Sequence, residues 1–432
     1  MTSVVALDTR SAPSTSRASA TIHIALLGCG NVGSAFAALV RDGSQNPLRI
    51  THALVRDCLR PRPTLHPAAE RVVTGAALFT TPPDVLVELL GGIEPARTLV
   101  LEALHRGIPV VTANKSLLAA HGAELRAAAT RSSTPLLYEA AVVAGVPFLS
   151  TFARRPHAAE VTSLAGIANG TSNYILTRAR DARCGIDKPL ADAQRLGYAE
   201  PDPSSDIDGI DAAQKLVVLL QHFAHANIRT DAVETTGIRA IDCADIDHAA
   251  ELGGTLKPVI FADWTGNLQA FSGPAFVPLR HQLATVDGAE NAIILNGRRG
   301  RLVFRGPGAG PEVTAATVLD DVLEAMTTPR PVAFPRLERV EPTTPETGWF
   351  VTLAGSRLPG GADIADLLSS YGIYLQRTSA SGRERFAAMT WPASRARVET
   401  ALRAIEAAAG ATVQHGAARH SCVAKHFRAL EV

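Results

Sequence analysis

"TIHIALLGCGNVGSAFAALVR", residues 21–41, is the stretch that decides the fold. Ile22, Ile24, Ala25, Leu26 and Leu27 make an apolar run of the length of a buried strand. Gly28-Cys29-Gly30-Asn31-Val32-Gly33 follows, and Ser34–Arg41 reads as a helix. Glycines in the order GxGxxG, between a strand and a helix, permit a tight turn. They also bring backbone N–H groups up to a pyrophosphate at the helix N-terminus. The strand–turn–helix setting therefore points to dinucleotide binding, with Gly28, Gly30, Asn31, Val32 and Gly33 as contacts. Cys29, between two of these glycines, reads as a small filler.

A second strand, Arg49–Val55, comes next, and its end should meet the adenosine ribose. An acid there favours NAD, whereas an arginine accepts the 2′-phosphate of NADP. Arg56 precedes Asp57, with Arg60 and Arg62 close behind, so the sequence leans to NADP and leaves NAD open. Further alternation follows: strand 84–90, helix 96–106, strand 109–112, helix 117–130 and strand 135–138. Such alternation predicts a doubly wound parallel sheet of Rossmann type, with ligands at the carboxyl ends of its strands. Gly91, a further cofactor contact, and Lys115 are expected at such ends.

The chain has 432 residues, enough for about three domains. Hydrophobic residues make up 46% and charged residues 19%, which suits a buried core and argues against disorder. The net charge of +1 offers nothing to a nucleic acid or an anionic membrane, and no apolar run is long enough to span a bilayer. Five scattered cysteines without CxxC spacing read as free thiols of a reducing compartment, so a cytoplasmic protein is expected. Residues 1–20, rich in Ser, Thr and Ala, read as a disordered tail. A transit peptide is the alternative reading of that tail.

"RLGYAEPDPSSDIDGIDAAQK", residues 195–215, is the other unusual stretch. Five acids punctuated by Pro and Gly run into the apolar helix 212–223, and Lys215 follows Asp211 by four residues, on the same side of the helix. Taken alone, these acids could cap a helix and shape a loop, and the lysine could lie on a surface.

The segments GCGNVG, VELLGGIEPA, VTANKSLLA and YEAAVVAGVP, together with this acidic stretch, resemble the homoserine dehydrogenase family over about residues 20–325. The resemblance implies interconversion of L-homoserine and L-aspartate 4-semialdehyde with NAD(P), in the biosynthesis of threonine, methionine and isoleucine. Reducing an aldehyde leaves an alkoxide that needs a proton, and a lysine shielded from water can have its pKa lowered into a useful range. Lys215 is the expected proton donor, with Lys115 assisting at the carbonyl oxygen. The resemblance places Glu200 and Asp211 at substrate-binding positions, where carboxylates suit an α-ammonium, with Gly197 in the same loop. It also implies a monovalent cation (Na+ or K+) on the carbonyls of Glu139, Val142, Ala144 and Val146. Alanine at 144 stands where the family has glycine, a costly exchange if φ is positive there. Gly306–Gly310 would bring the chain back to the cofactor, with Gly310 as a contact. A small-molecule substrate and a homodimer or homotetramer are the expected partners. Two other classes stay open: another amino-acid or semialdehyde dehydrogenase on the same scaffold, or a non-catalytic NAD(P) sensor.

The expected domains are a Rossmann domain (21–145), an α+β substrate and dimerisation domain (146–326), a Pro-rich linker (327–347) and a C-terminal module (348–432). The module's pattern of strands and helices is similar to the βαββαβ ACT regulatory unit. Arg357, near its first loop, suits a carboxylate and repels an ammonium, so threonine is not expected to inhibit strongly. Nothing resembling a kinase precedes the nucleotide motif, and a monofunctional chain is expected.

Overall fold

The computed structural model describes residues 21–43, 47–154, 160–327, 334–344, 346–355, 358–381, 384–411 and 423–430. The tail 1–20, part of the Pro-rich stretch and Arg357 lie outside the described residues.

Strands β1 (Ile22–Leu27), β2 (Leu48–Leu54), β3 (Glu70–Val72), β4 (Val85–Glu88), β5 (Val110–Thr112) and β6 (Leu136–Leu137) form one sheet in the order β3-β2-β1-β4-β5-β6. Every pairing among them is parallel. The two-residue period of a strand divides β1 between two cores. Ile24 and Leu26 face Phe36 and Val40 of α1 (Asn31–Asp42), while Ala25 and Leu27 face α2 (Ala96–His105) and α3 (Lys115–Ser132). The helix Pro311–Thr327 returns to the first face, where Ala315, Val318 and Val322 join Ile24 and Phe36. The chain order reverses between β1 and β4, which is where ligands bind in such sheets.

A second, mixed sheet carries the rest. Its strands run Gly300–Pro307, Glu290–Gly297, Val161–Ile167, Gly254–Asp263 and Gln269–Pro278, and then continue through Val423–Ala429, Trp349–Ala354, Arg385–Thr390 and Leu375–Ser381. The last four belong to a C-terminal βαββαβ unit whose fourth and first strands lie together, followed by the third and second. This is the ferredoxin-like order. Two parallel partners, Ala275↔Arg428 and Phe276↔Ala429, join the unit to the catalytic part. The segment expected to be a linker is pinned down along its described length. Glu338–Arg339 pairs with Ala226–Asn227, and Thr343 N donates to Leu268 O at 2.7 Å. Phe334 stacks on Tyr138. The cause is unpaired edge backbone on the catalytic part, which the extended, proline-spaced chain can cover without needing a helix or a full strand.

The C-terminal unit is also held by polar contacts. Asp245 is buried in the helix Cys243–Glu251, and its carboxylate accepts from Lys425 Nζ at 2.8 Å and from Thr352 Oγ1 at 2.7 Å. Removing the carboxylate leaves the buried Thr352 hydroxyl without its acceptor and Lys425 with Asp242 alone. Asp245→Ala should therefore destabilise the protein by about 2 kcal/mol and speed proteolytic release of the C-terminal unit. Thermal melting and limited trypsin digestion measure this; an unchanged melting temperature would show that the contact contributes nothing.

Candidate active site

The phosphate turn is built by close approach. Gly28 has φ of +92°, and a Cβ there would lie 2.7 Å from Leu89 O. A Cβ on Gly33 would lie 2.2 Å from Gly28 O, so only glycine lets α1 sit down on the turn. At Gly30, by contrast, a Cβ would meet nothing within 4 Å. Open space over Gly30, bounded by the start of α1 at Asn31 and Val32, fits a pyrophosphate against the helix N-terminus. Gly91 follows β4 on the neighbouring strand end, and Gly310 immediately precedes the returning helix.

Arg56 lies two residues beyond the end of β2 and is exposed, with no hydrogen bond or ion pair to the described residues. Arg62 instead donates Nη1 to the carbonyls of Asp57 at 2.8 Å and Arg60 at 3.1 Å, knitting the loop together. Asp57 is used too, its Oδ1 accepting from Leu59 N at 2.8 Å. The arginines expected to form one phosphate patch thus divide into a loop brace, Arg62, and two exposed guanidiniums, Arg56 and Arg60, without a partner among the described residues.

Two helices bring the lysines together. Lys115 is the first residue of α3, not the end of β5 as expected, because Asn114 caps the helix by accepting from Leu117 N at 3.0 Å. Lys215 lies in the helix Ile210–Phe223, whose first turn holds Asp211. The two helices pack closely at Gly122, where a Cβ would lie 2.1 Å from Gln221 Oε1. Ser116 Oγ also donates to Gln214 Oε1 at 2.9 Å. Lys115 Nζ consequently reaches Asp211 Oδ1 at 2.9 Å, and Lys215 Nζ reaches Asp211 Oδ2 at 2.8 Å. Lys215 also donates to Ala168 O at 2.7 Å, which leaves one of its three N–H groups.

Burial pushes the Asp211 carboxyl up, but Lys215, Lys115 and the Asn169 amide outweigh it and hold the group well below the usual carboxylate range. The charge of Asp211 raises Lys115 against the effect of burial, with smaller contributions from Asp206 and Glu200. Asp211, expected to meet the substrate ammonium, is thus already committed to two lysines. Glu200 is exposed near Lys115, and its carboxylate has no hydrogen bond to the described residues. Gly197, in the same loop, has φ of +78°.

Three further groups gather at the site. Asn169 donates Nδ2 to Asp206 Oδ1 at 2.7 Å and to Asp211 Oδ2 at 2.9 Å, while its own Oδ1 accepts from Ser172 N at 2.7 Å. Asp206, one of the acids that taken alone could cap a helix, therefore faces the site, and burial raises its carboxyl. Glu88, fully buried at the end of β4, accepts from Thr112 Oγ1 at 2.5 Å, Leu90 N at 2.9 Å and Asn114 Nδ2 at 3.3 Å. It ties the Gly91 turn to the cap of α3. An acid inside the apolar run VLVELL was the available signal for it.

Ala144, in the expected cation set, is not among the positive-φ residues, so alanine is unstrained there. Its carbonyl accepts the hydroxyl of Thr317 from the returning helix, which uses one of its two lone pairs. The Glu139 carboxylate accepts from Phe148 N at 2.6 Å, Leu149 N at 2.8 Å and Ser150 N at 2.8 Å. Among the described residues no group of three or more His, Cys, Asp or Glu could hold a metal ion, and no helix is long and apolar enough to cross a membrane.

Known proteins are similar to this chain. Residues 28–139 match the family model for the NAD-binding domain of homoserine dehydrogenase, and residues 147–323 match the model for homoserine dehydrogenase itself. The homoserine dehydrogenase of Lactococcus lactis is 36% identical over 315 residues, covering 70% of this chain and 74% of that protein. That of Corynebacterium glutamicum is 37% identical over 318 residues, 70% and 72% of the two chains. The crystal structure of a homoserine dehydrogenase from Thiobacillus denitrificans superposes with a TM-score of 0.84 at 30% identity, covering 95% of this chain and 98% of that one. The chain belongs to the homoserine dehydrogenase family, NAD(P)-dependent oxidoreductases.

Proposed function

We propose that Lys215 transfers the proton and Lys115 assists it in the interconversion of L-homoserine and L-aspartate 4-semialdehyde, with Asp211 positioning both lysines. The observation that carries this reading is the single buried carboxylate of Asp211, with one lysine ammonium on each of its oxygens. NAD(P), held by Gly28, Gly30, Asn31, Val32, Gly33, Gly91 and Gly310, supplies or takes the hydride at the carbonyl carbon when bound. In the reducing direction the free N–H of Lys215 gives its proton to the nascent alkoxide oxygen; in the oxidising direction the same nitrogen takes the hydroxyl proton. Asp211 stabilises the ammonium from which the proton leaves, and Lys115 stabilises negative charge building on the oxygen. Glu200, the acid near Lys115 left without a partner, takes the substrate ammonium.

The free guanidinium of Arg56 supports a preference for NADP over NAD. Cys29, Cys58, Cys184 and Cys243 are free thiols, which supports a cytoplasmic address. The edge strand Gly300–Pro307 exposes Leu302 and Val303, which supports pairing with a second copy into a homodimer or a larger homo-oligomer. The C-terminal unit is read as an ACT-like assembly or regulatory module, on its strand order.

Lys215→Ala should lower kcat for homoserine by ~10²–10⁴-fold while NADP binding, followed by fluorescence titration, stays near wild type. A variant keeping most of its kcat would remove Lys215 from the proton transfer. Glu200→Gln should raise KM for homoserine at least tenfold and leave KM for NADP unchanged, in steady-state assays with each substrate varied in turn. Unaltered homoserine kinetics would reduce Glu200 to a loop residue. Arg56→Ala should lower kcat/KM for NADP and spare that for NAD, because only NADP carries the 2′-phosphate; parallel losses would refute a phosphate contact.

A further inference from the structure

Two cysteines far apart in the chain meet between two helices. The helix Gly170–Ala182 is capped by Asn169, at the Asp211 site, and its other end, about 20 Å along the axis, runs into Cys184. That end is closed tightly: Arg183 takes the left-handed region at φ of +46°, and Cys184 N donates to Ala179 O at 3.0 Å. Cys243 is the first residue of the helix Cys243–Glu251, which Asp242 and Asp245 lock through a reciprocal capping box. Its Sγ donates to Arg183 O at 3.1 Å, across a sequence separation of 60 residues. Arg183 O belongs to the peptide that leads into Cys184, so standard peptide dimensions put the Cα of Cys184 at most roughly 6 Å from Cys243 Sγ. Rotation about the two χ1 angles covers such a gap. Ala179, Ile186, Ile241 and Ile246, close to these cysteines in sequence, lie in one hydrophobic core, which holds the two elements together.

The two thiols are also in different settings. Burial pushes the Cys243 thiol up, the Asp247 carboxylate pushes it further, and the charge of Cys184 adds to the rise. Cys243 therefore keeps its proton, which it offers to Arg183 O or to Asp247 Oδ2 at 3.7 Å. The Cys184 thiol has no hydrogen-bond partner among the described residues, and both side chains are half-buried, so a small oxidant can reach them. The thiolate is the form that an oxidant attacks, which makes Cys184 the first to react and Cys243 the second.

We infer that Cys184 and Cys243 form an oxidative modification site, at which hydrogen peroxide closes a reversible disulfide between the two helices. In the first step the Cys184 sulfur attacks one peroxide oxygen. An S–O bond forms, the O–O bond breaks, and the other oxygen leaves as water with the thiol proton. In the second step the Cys243 sulfur attacks the Cys184 sulfur. The S–S bond forms, the S–O bond breaks, and the departing hydroxide takes the Cys243 proton as a second water. Two thiols lose two electrons in all, and one peroxide gains them. The crosslink ties the helix that begins at the Asp211 site to the helix whose Asp245 holds the C-terminal unit. Thiol exchange reopens it in a reducing compartment. The site does not depend on the roles assigned to the lysines.

The test treats the reduced full chain with equimolar hydrogen peroxide, followed by intact mass and non-reducing tryptic mapping. Trypsin places Cys184 in the peptide 184–195 and Cys243 in the peptide 240–280, because Lys188 and Lys257 each precede a proline. The chain should lose two hydrogen atoms, these two peptides should appear joined, and dithiothreitol should reverse both changes. Cys243→Ser should stop at a sulfenic acid on Cys184, which dimedone captures. The wild-type map carries the test if the variant does not fold. The inference is overturned if no joined peptide forms, if the bond pairs other cysteines or two chains, or if dimedone finds no sulfenic acid on Cys184 in folded Cys243→Ser.

Discussion

The site depends on one buried carboxylate shared by two lysines. Burying Asp211 alone would be prohibitive, since an isolated ion inside a protein loses several kcal/mol of hydration. Two ammonium groups, one on each oxygen, with the Asn169 amide as a further donor, reverse the balance. The start of the helix Ile210–Phe223 adds the favourable end of its dipole, because Asp211 lies in the first turn. The arrangement carries one net positive charge in a partly buried place. That charge suits an oxygen that becomes an alkoxide, and two more acids, Asp206 and Glu200, lie near enough to add to the field on Lys115.

Each partner of Asp211 is held by a separate part of the fold. Lys115 depends on the cap of α3, hence on Asn114, and through Asn114 on Glu88 at the end of β4. Lys215 depends on Ala168 O, at the end of the strand Val161–Ile167 in the second sheet. The Rossmann sheet and the mixed sheet therefore meet at this carboxylate, and their helices are locked side by side by the Gly122–Gln221 approach. A cofactor on one sheet and a substrate on the other would have their reacting atoms brought to the same few ångströms by this contact. Proximity of this kind is a large part of what an enzyme contributes to a two-substrate step.

What was legible in the sequence was what is local. The turn Gly28–Gly33 was readable because strand, glycines and helix are contiguous, and the sheet followed from alternation. Lys115 was placed at a strand end because the capping role of Asn114 competes with the extended run before it. The partner of Asp206 was hidden because Asn169 lies 37 residues away. The continuity of the mixed sheet was hidden for the same reason: Ala275 and Arg428 are paired across more than a hundred residues with no periodic signal linking them. The proline-rich stretch has the composition of a linker, and composition does not say whether an extended chain finds an edge to pair with.

The C-terminal unit is coupled to the catalytic loop through one short segment. Glu234–Ile238 touches Arg428 and Arg395 at one end. At the other end Ile238 N donates to Ile207 O at 2.8 Å, and a Cβ on Gly237 would lie 2.5 Å from the same carbonyl. Gly209, which starts the lysine helix, would place a Cβ 3.2 Å from Thr236 O. The segment thus lies in close contact with the backbone between Ile207 and Gly209, just before Asp211. Close-packed backbone transmits shifts instead of absorbing them. The C-terminal unit, whose strand continues the catalytic sheet and whose arginines hold Glu234, is therefore joined by continuous packing to the helix that carries Asp211 and Lys215.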